Sequence, residues 1–242
     1  MATVADLLID SLADLGVRTV WGVVGDALNP VTEAIARSER IEWIGVRHEE
    51  VGAFAASAQA QLTGTLGVCM GTVGPGGIHL LNGLYDAKKS HAPVLAICGQ
   101  VPSTQIGTEM FQEVNNDVLY ADVSVYSRTI SNGEHFPYVL EMAVNTALSE
   151  RGVSVLTLPG DVGELDVEKD VTVEFTPAQS SAMPSADRLA QAVELIDAAD
   201  TVTLLVGIGA KGGRDAVLRL AEKVHAPMVL SLKAKDGFEH DN

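Results

Sequence analysis

Three runs of almost unbroken apolar residues, LGVCMGTV (66–73), PVLAICG (93–99) and VSVLTLP (153–159), restrict what this chain can fold into. A strand with one wet face alternates apolar and polar residues; a run without alternation is buried on both faces. Such strands need helices on either side, which makes a parallel sheet in an α/β protein. RTVWGVV (18–24), IEWIGV (41–46) and DVSVYSRTI (122–130) bring the expected strands to six. Between them the apolar period becomes helical. VADLLIDSLADLG (4–16) places Val4, Leu7, Leu8, Leu12 and Leu15 on one face and stops at Gly16. VTEAIARSE (31–39), with Asn29 expected as N-cap and Pro30 at the first helical position, follows the first strand. Further helices are expected over 48–63, about 76–88 and 138–150.

The pattern lapses at QVPSTQIGTEMFQEVNND (100–117), too rich in turn formers for one regular element, and again from Gly160 to Ser185. The second lapse reads as a linker. The βα pattern then restarts with a helix over 186–199, the strand VTLLVG, the helix GRDAVLRLAEKV and the strand PMVLSL. Two strands cannot cover both faces of their sheet. The expected organisation is therefore a six-stranded α/β domain over 1–160, a linker over 161–185, and over 186–242 the beginning of a second α/β domain belonging to a longer polypeptide.

Apolar residues make up 47% of the chain and aromatics 5%, so the core is expected to be built from Ala, Val, Leu and Ile. A formal charge of −16 repels phosphate, which argues against nucleic acid and anionic membrane surfaces and for small molecules. No basic-then-apolar leader and no apolar run near the ~18 residues of a membrane span is visible, so a cytoplasmic protein is expected. Cys69 and Cys98 each sit inside an apolar run and are expected to be reduced core residues.

Open α/β sheets bind ligands beyond the carboxyl ends of their strands, where four strand-to-helix turns attract interest: VVGDALN (23–29), RHEEV (47–51), GTVGPGG (71–77) and GTEMFQE (107–113). The glycines of GPGG permit close approach to a flat group, or simply a tight turn. GIGAKG (207–212) matches G-x-G-x-x-G, yet the next strand ends in SLKAK without the acidic residue of a dinucleotide site. Classical NAD binding is thus disfavoured, while a phosphate-bearing cofactor over that helix start stays open. HEEVG lacks the second histidine of H-E-x-x-H and no other ligand spacing is present, so no protein-only metal site is expected.

Glu49 and Glu50 open the helix after the second strand. Glu49 shares its face with Gly52, Ala53, Ala56 and Ala60, Glu50 with Phe54, Ser57 and Gln61. Both could be ordinary first-turn carboxylates favoured by the helix dipole. Glu49, however, falls on the face that can be pressed against a neighbour, and a carboxylate there needs a partner.

In chain order, GVRTVWGVVGD, RHEEVGAFAASA, GTVGPGGIHLLNGLYDAKKSHAPVLAICG, MFQE and GVSVLTLPGDV resemble the pyrimidine-binding domain of thiamine-diphosphate enzymes of the pyruvate oxidase and acetolactate synthase type. The resemblance runs over the whole chain and is strongest to flavin-dependent pyruvate:quinone dehydrogenases. It implies a cofactor set of thiamine diphosphate, Mg²⁺ and FAD, with the diphosphate and Mg²⁺ held by a third domain outside this chain. It further implies a homo-oligomer sharing each site between subunits, pyruvate as substrate and quinone as acceptor, and any peripheral membrane contact only through a C-terminal part absent here.

By the same resemblance, Glu49 is the glutamate that hydrogen-bonds a ring nitrogen of the cofactor's aminopyrimidine and passes the proton that activates it. Asp26 matches an aspartate near the substrate in some decarboxylases. Gly25, Gly74, Pro75 and Gly76 border the pyrimidine, Phe111 and Gln112 border the reacting carbon, and Gly207, Ile208 and Gly209 lie where flavin-containing members hold FAD. Two departures stand out: Asn115-Asn116 after FQE where relatives often have His-Pro, and Gly77 where they often have Asn. Acetolactate synthesis or non-oxidative decarboxylation of a 2-keto acid is the alternative on the same scaffold. A non-enzymatic binding module, which a natural stop after Asn242 would favour, is the alternative of another class.

Overall fold

The computed structural model describes residues 2–168, 171–178 and 182–238, which divide into two compact units with the boundary near residue 180. The first unit is a six-stranded, wholly parallel sheet. Its elements are α1 (Val4–Leu15), β1 (Thr19–Gly22), α2 (Asn29–Ser38), β2 (Glu42–Gly45), α3 (Glu49–Thr63), β3 (Gly67–Gly71), α4 (Pro75–Ser90), β4 (Val94–Gln100), α5 (Asn116–Leu119), β5 (Tyr126–Thr129), α6 (Phe136–Glu150) and β6 (Val153–Pro159).

The strand order β2-β1-β3-β4-β6-β5 determines which face each helix covers. Parallel crossovers are right-handed. Those moving one way along the sheet, β2 to β3, β3 to β4 and β4 to β5, place α3, α4 and α5 on one face. Those moving the other way, β1 to β2 and β5 to β6, place α2 and α6 on the opposite face, where α1 joins them. The cores obey this rule. Val68, Met70, Leu95, Ile97, Leu156 and Leu158 point into the cluster of α1, α2 and α6. Their neighbours Cys69, Val94, Ala96, Cys98, Val153 and Val155 point into that of α3, α4 and Tyr120. The unbroken apolar runs are thus buried on both faces, as their lack of alternation requires.

The α3–α4 pair packs almost backbone to backbone. A Cβ on Gly83 would lie 2.5 Å from both Ala53 Cβ and Phe54 N, and on the strand beneath α3 one on Gly67 of β3 would lie 2.2 Å from Ala56 O. Buried Gly52, Ala53, Ala56 and Ala60 make this approach possible.

Two expectations need correction. Asn29 does not cap the second helix: Asp26 Oδ1 accepts its neighbour Ala27 N–H at 2.9 Å, a 3-10 turn forms over Asp26–Leu28, and α2 begins at Asn29 with Leu28 as its cap. Nor does the chain leave the first unit at Gly160. Val4 N–H donates to Leu165 O and Val167 N–H to Ala2 O, Val162 and Val167 are buried, and Val171, Val173 and Phe175 rest on the same core. The polar composition of this stretch hid the apolar residues that hold it down. Parts of the expected linker, 169–170 and 179–181, lie outside the described residues, as does 239–242.

The second unit has α7 (Ala186–Asp197), β7 (Leu204–Val206), α8 (Arg214–Lys223), β8 (Met228–Leu230) and α9 (Lys235–Phe238). β7 and β8 pair in parallel, with Val206, Ala234 and Phe238 as a small buried cluster. Among the described residues no helix is long and apolar enough to cross a membrane.

Candidate functional site

The sheet order reverses between β1 and β3, because the chain leaves β1 towards β2 and leaves β3 towards β4. Helices α2 and α4 therefore diverge to opposite faces, opening a crevice at the carboxyl ends of those strands. Both turns at this crevice are glycine-bearing. A Cβ on Gly25 would collide with Thr72 Oγ1 at 2.4 Å, and one on Gly76 would lie 2.9 Å from Thr72 Cγ2 and 3.4 Å from Glu49 Oε1. Gly74 adopts φ +64, in the left-handed region that glycine alone enters freely, and a Cβ there would lie 2.5 Å from Gln112 O. The glycines thus let Thr72, Gln112 and Glu49 converge.

Glu49 arrives as the first residue of α3, behind the N-cap His48, whose Nδ1 accepts Glu50 N–H at 3.3 Å. Only 8% of Glu49 is exposed. The partner that such a carboxylate requires is His79, one turn into α4, whose Nδ1 lies 3.0 Å from Glu49 Oε2. The His48 and His79 rings stack with centroids 4.4 Å apart and planes 26° apart. Glu50 is the wetter of the two glutamates, and its Oε1 accepts Asn82 Nδ2–H at 3.0 Å. Sequence reasoning identified Glu49 but missed His79 and Thr72. The available signals were the position of His79 one turn after the Pro75 start of α4, and of Thr72 just ahead of GPGG.

His48, Glu49 and His79 bring potential metal-ligand atoms within 4.8 Å of one another. Imidazoles bind a metal through in-plane lone pairs that must converge. Nearly parallel stacked rings aim theirs side by side, so one ring would have to turn before the three could hold an ion.

Other expected residues stand apart from this cluster. Asp26 is exposed at the β1 turn beside Gly25, its Oδ1 occupied by the Ala27 amide. Phe111 is 81% exposed, although the next residue, Gln112, reaches Gly74. Both ride on a loop closed by Glu113, whose carboxylate takes the backbone N–H groups of Gly107 and Met110. Gln112 and Glu109 in that loop have φ +69 and +58. Gly207, Ile208 and Gly209 belong to the second unit. Ile208–Gly213 forms a 3-10 helix between β7 and α8, and Cβ atoms on Gly207 and Gly209 would meet open space.

The departures noted in the sequence have structural causes. A side chain at Gly77 would run into Tyr120 Oη, 2.7 Å from its Cβ. Tyr120 is itself fully buried, accepts Cys98 Sγ–H at 3.2 Å, and has its phenol held far above the ordinary tyrosine range by burial. Burial also pushes the Cys98 thiol up to about 12. Asn115 caps α5, accepting Val118 N–H at 3.2 Å, while Asn116 is buried.

Residues 2–119 match the family described as "Thiamine pyrophosphate enzyme, N-terminal TPP binding domain", and residues 189–242 match "Thiamine pyrophosphate enzyme, central domain". The chain belongs to the thiamine pyrophosphate enzymes. Among its relatives, an uncharacterized 42.6 kDa protein of Pseudomonas amyloderamosa is 41% identical over 99% of the chain and 61% of its own length. The pyruvate oxidase of Lactiplantibacillus plantarum is 37% identical over 94% of the chain and 38% of its own length. The acetolactate synthase of Mycobacterium bovis is 34% identical over 98% of the chain and 39% of its own length. The chain thus spans roughly 40 to 60% of these relatives.

The residues present fit the pyrimidine end of the family's cofactor. Thr72 Oγ1 is buried without a hydrogen-bond partner, and Glu49 Oε1 lies beside the side-chain-free Gly76 turn. A polar, nitrogen-bearing ring would supply a hydrogen-bond partner to each of these oxygens.

Proposed function

We propose that this chain supplies the pyrimidine-binding part and the start of the flavin-binding part of an enzyme that oxidatively decarboxylates pyruvate and passes the electrons through FAD to a quinone. The observation that carries the proposal is the buried Glu49, held by His79 and facing a glycine cradle at the sheet's switch point. When bound, thiamine diphosphate supplies a carbon nucleophile for the 2-keto group and a sink for the electrons left by decarboxylation.

In this reading each of this chain's site residues has a role. Glu49 Oε1 holds and returns a proton at the ring nitrogen, in a pocket shielded from water, where such transfer is effective. Gly25, Gly74, Pro75 and Gly76 define the ring's slot, and the Thr72 hydroxyl fills a polar gap beside it. Gln112, set against Gly74, faces the reacting centre, with Phe111 and Asp26 at its open side. Gly207, Ile208 and Gly209, at the end of β7, offer backbone to FAD. The first unit, which runs to near residue 180, is then the pyrimidine domain, and 186–242 is the start of the central domain. Mg²⁺ and the diphosphate would be held by a further domain of a second subunit, in a cytoplasmic homo-oligomer. Val51, Phe54, Ile78 and Tyr85, exposed on α3 and α4, support an interface there.

A second reading, acetolactate synthesis, is favoured by the near-complete coverage of this chain by the acetolactate synthase relative. Adding pyruvate to the full-length enzyme under anaerobic conditions separates the two. Bleaching of the flavin, followed by reoxidation with a quinone analogue, is expected. A flavin that stays oxidised while acetolactate accumulates would overturn the leading proposal.

A further inference from the structure

Glu49 has two carboxylate oxygens, and the structure gives them different surroundings. Oε2 is bound to His79 Nδ1 at 3.0 Å, and Oε1 faces the Gly76 turn. Only one oxygen is therefore presented to the crevice. His79 comes from α4 and Glu49 from α3, two helices locked together by the Gly83–Ala53 approach, so the pair is held at fixed register. The His48 ring, stacked on His79, restrains the imidazole further.

An imidazole can donate from either nitrogen, and its partner decides which one carries the proton. A buried carboxylate opposite Nδ1 selects the Nδ1–H form. We propose that His79 is a positioning residue: it donates Nδ1–H to Glu49 Oε2, fixes the carboxylate's rotation, and leaves Oε1 as the single proton-exchanging atom, while His48 clamps the His79 ring. The proposal rests on the assignment of Glu49 to the cofactor's pyrimidine.

The test begins with the chain itself and needs no cofactor. In ¹⁵N-histidine-labelled protein at pH 8.5, the long-range ¹H–¹⁵N spectrum of His79 is expected to show a protonated Nδ1 and a bare Nε2. In Glu49→Ala the imidazole should revert to the Nε2–H form that free histidine prefers. An Nε2–H His79 in the wild-type chain overturns the proposal. So does a spectrum that Glu49→Ala leaves unchanged.

In the full-length enzyme, His79→Leu should lower kcat by roughly 10- to 100-fold, the effect of losing one charge-assisted hydrogen bond, with pyruvate KM little changed. His79→Asn, which keeps a donor near the same position, should recover much of that loss. Equal losses in the two variants, or a loss confined to KM, also overturn it. An intact Nδ1–H signature in an enzyme that does not oxidise pyruvate would instead reject the substrate assignment and leave the positioning role standing.

Discussion

Gly83 of α4 and Ala53 of α3 approach so closely that a Cβ on the glycine would stand 2.5 Å from the alanine's own Cβ. Gly83→Ala therefore has to push the two helices apart and should cost about 1–3 kcal/mol, the usual penalty of overpacking a core. Gly212→Ala, whose Cβ would meet open space, should change stability by less than about 0.5 kcal/mol. Chemical denaturation of both variants gives the comparison.

Glu49→Gln in the full-length enzyme should reduce turnover by roughly 10²–10⁴-fold, as expected for loss of a general acid–base step. Glu50→Gln should do little, since Glu50 is partly solvated and bonded to Asn82. Steady-state rates decide; equal losses would reassign the chemistry.

At Gly74 the left-handed backbone and the Gln112 carbonyl both exclude a side chain. Gly74→Ala should destabilise by about 1–3 kcal/mol through strain and displace the loop that carries Phe111. Faster proteolytic cleavage within residues 103–113, alongside a lowered melting temperature, would register both effects.

Asp6 closes a capping box with Thr3 at the start of α1 and pairs with Arg37 of α2. Burial pulls its affinity for a proton up, but the Arg37 guanidinium and the Thr3 bonds outweigh this and hold the carboxyl below its ordinary value. A depressed folded value means that the stabilisation is fully present above the ordinary carboxylate range of about 4 and is lost as pH falls through the folded value. Asp6→Asn should cost about 0.5–2 kcal/mol at neutral pH, with the gap narrowing towards strong acid in melts run across pH.

Cys69 and Cys98 are free, fully buried and held in the thiol form by desolvation. Because the thiolate is the reactive species, a disulfide exchange reagent at pH 8 should label neither cysteine in the native chain and both after denaturation.

The parallel sheet was legible because three runs lacked alternation, and the helices because their apolar spacing was regular. Strand order was not legible, since nothing local records whether a crossover moves left or right. The segment beyond Gly160 misled because Val162, Val167 and Phe175 are too sparse among polar neighbours to register as core. Helix geometry separated Glu49 from Glu50 by its face of small residues, and the family resemblance singled it out for a role. Nothing singled out its partner. His79 lies 30 residues away, and the contact exists only because α3 and α4 are adjacent crossovers on one face of the sheet.

The loop bearing Phe111 and Gln112 is tied by Glu113 to its own backbone at Gly107 and Met110, a closure that needs no hydrogen bond from the strands. Under the proposed function, exchanging residues 107–113 for another sequence that keeps the closing carboxylate should change which 2-keto acid is accepted while Glu49 and His79, on other elements, stay paired. On that reading, selectivity and activation of the cofactor rest on different segments of one domain.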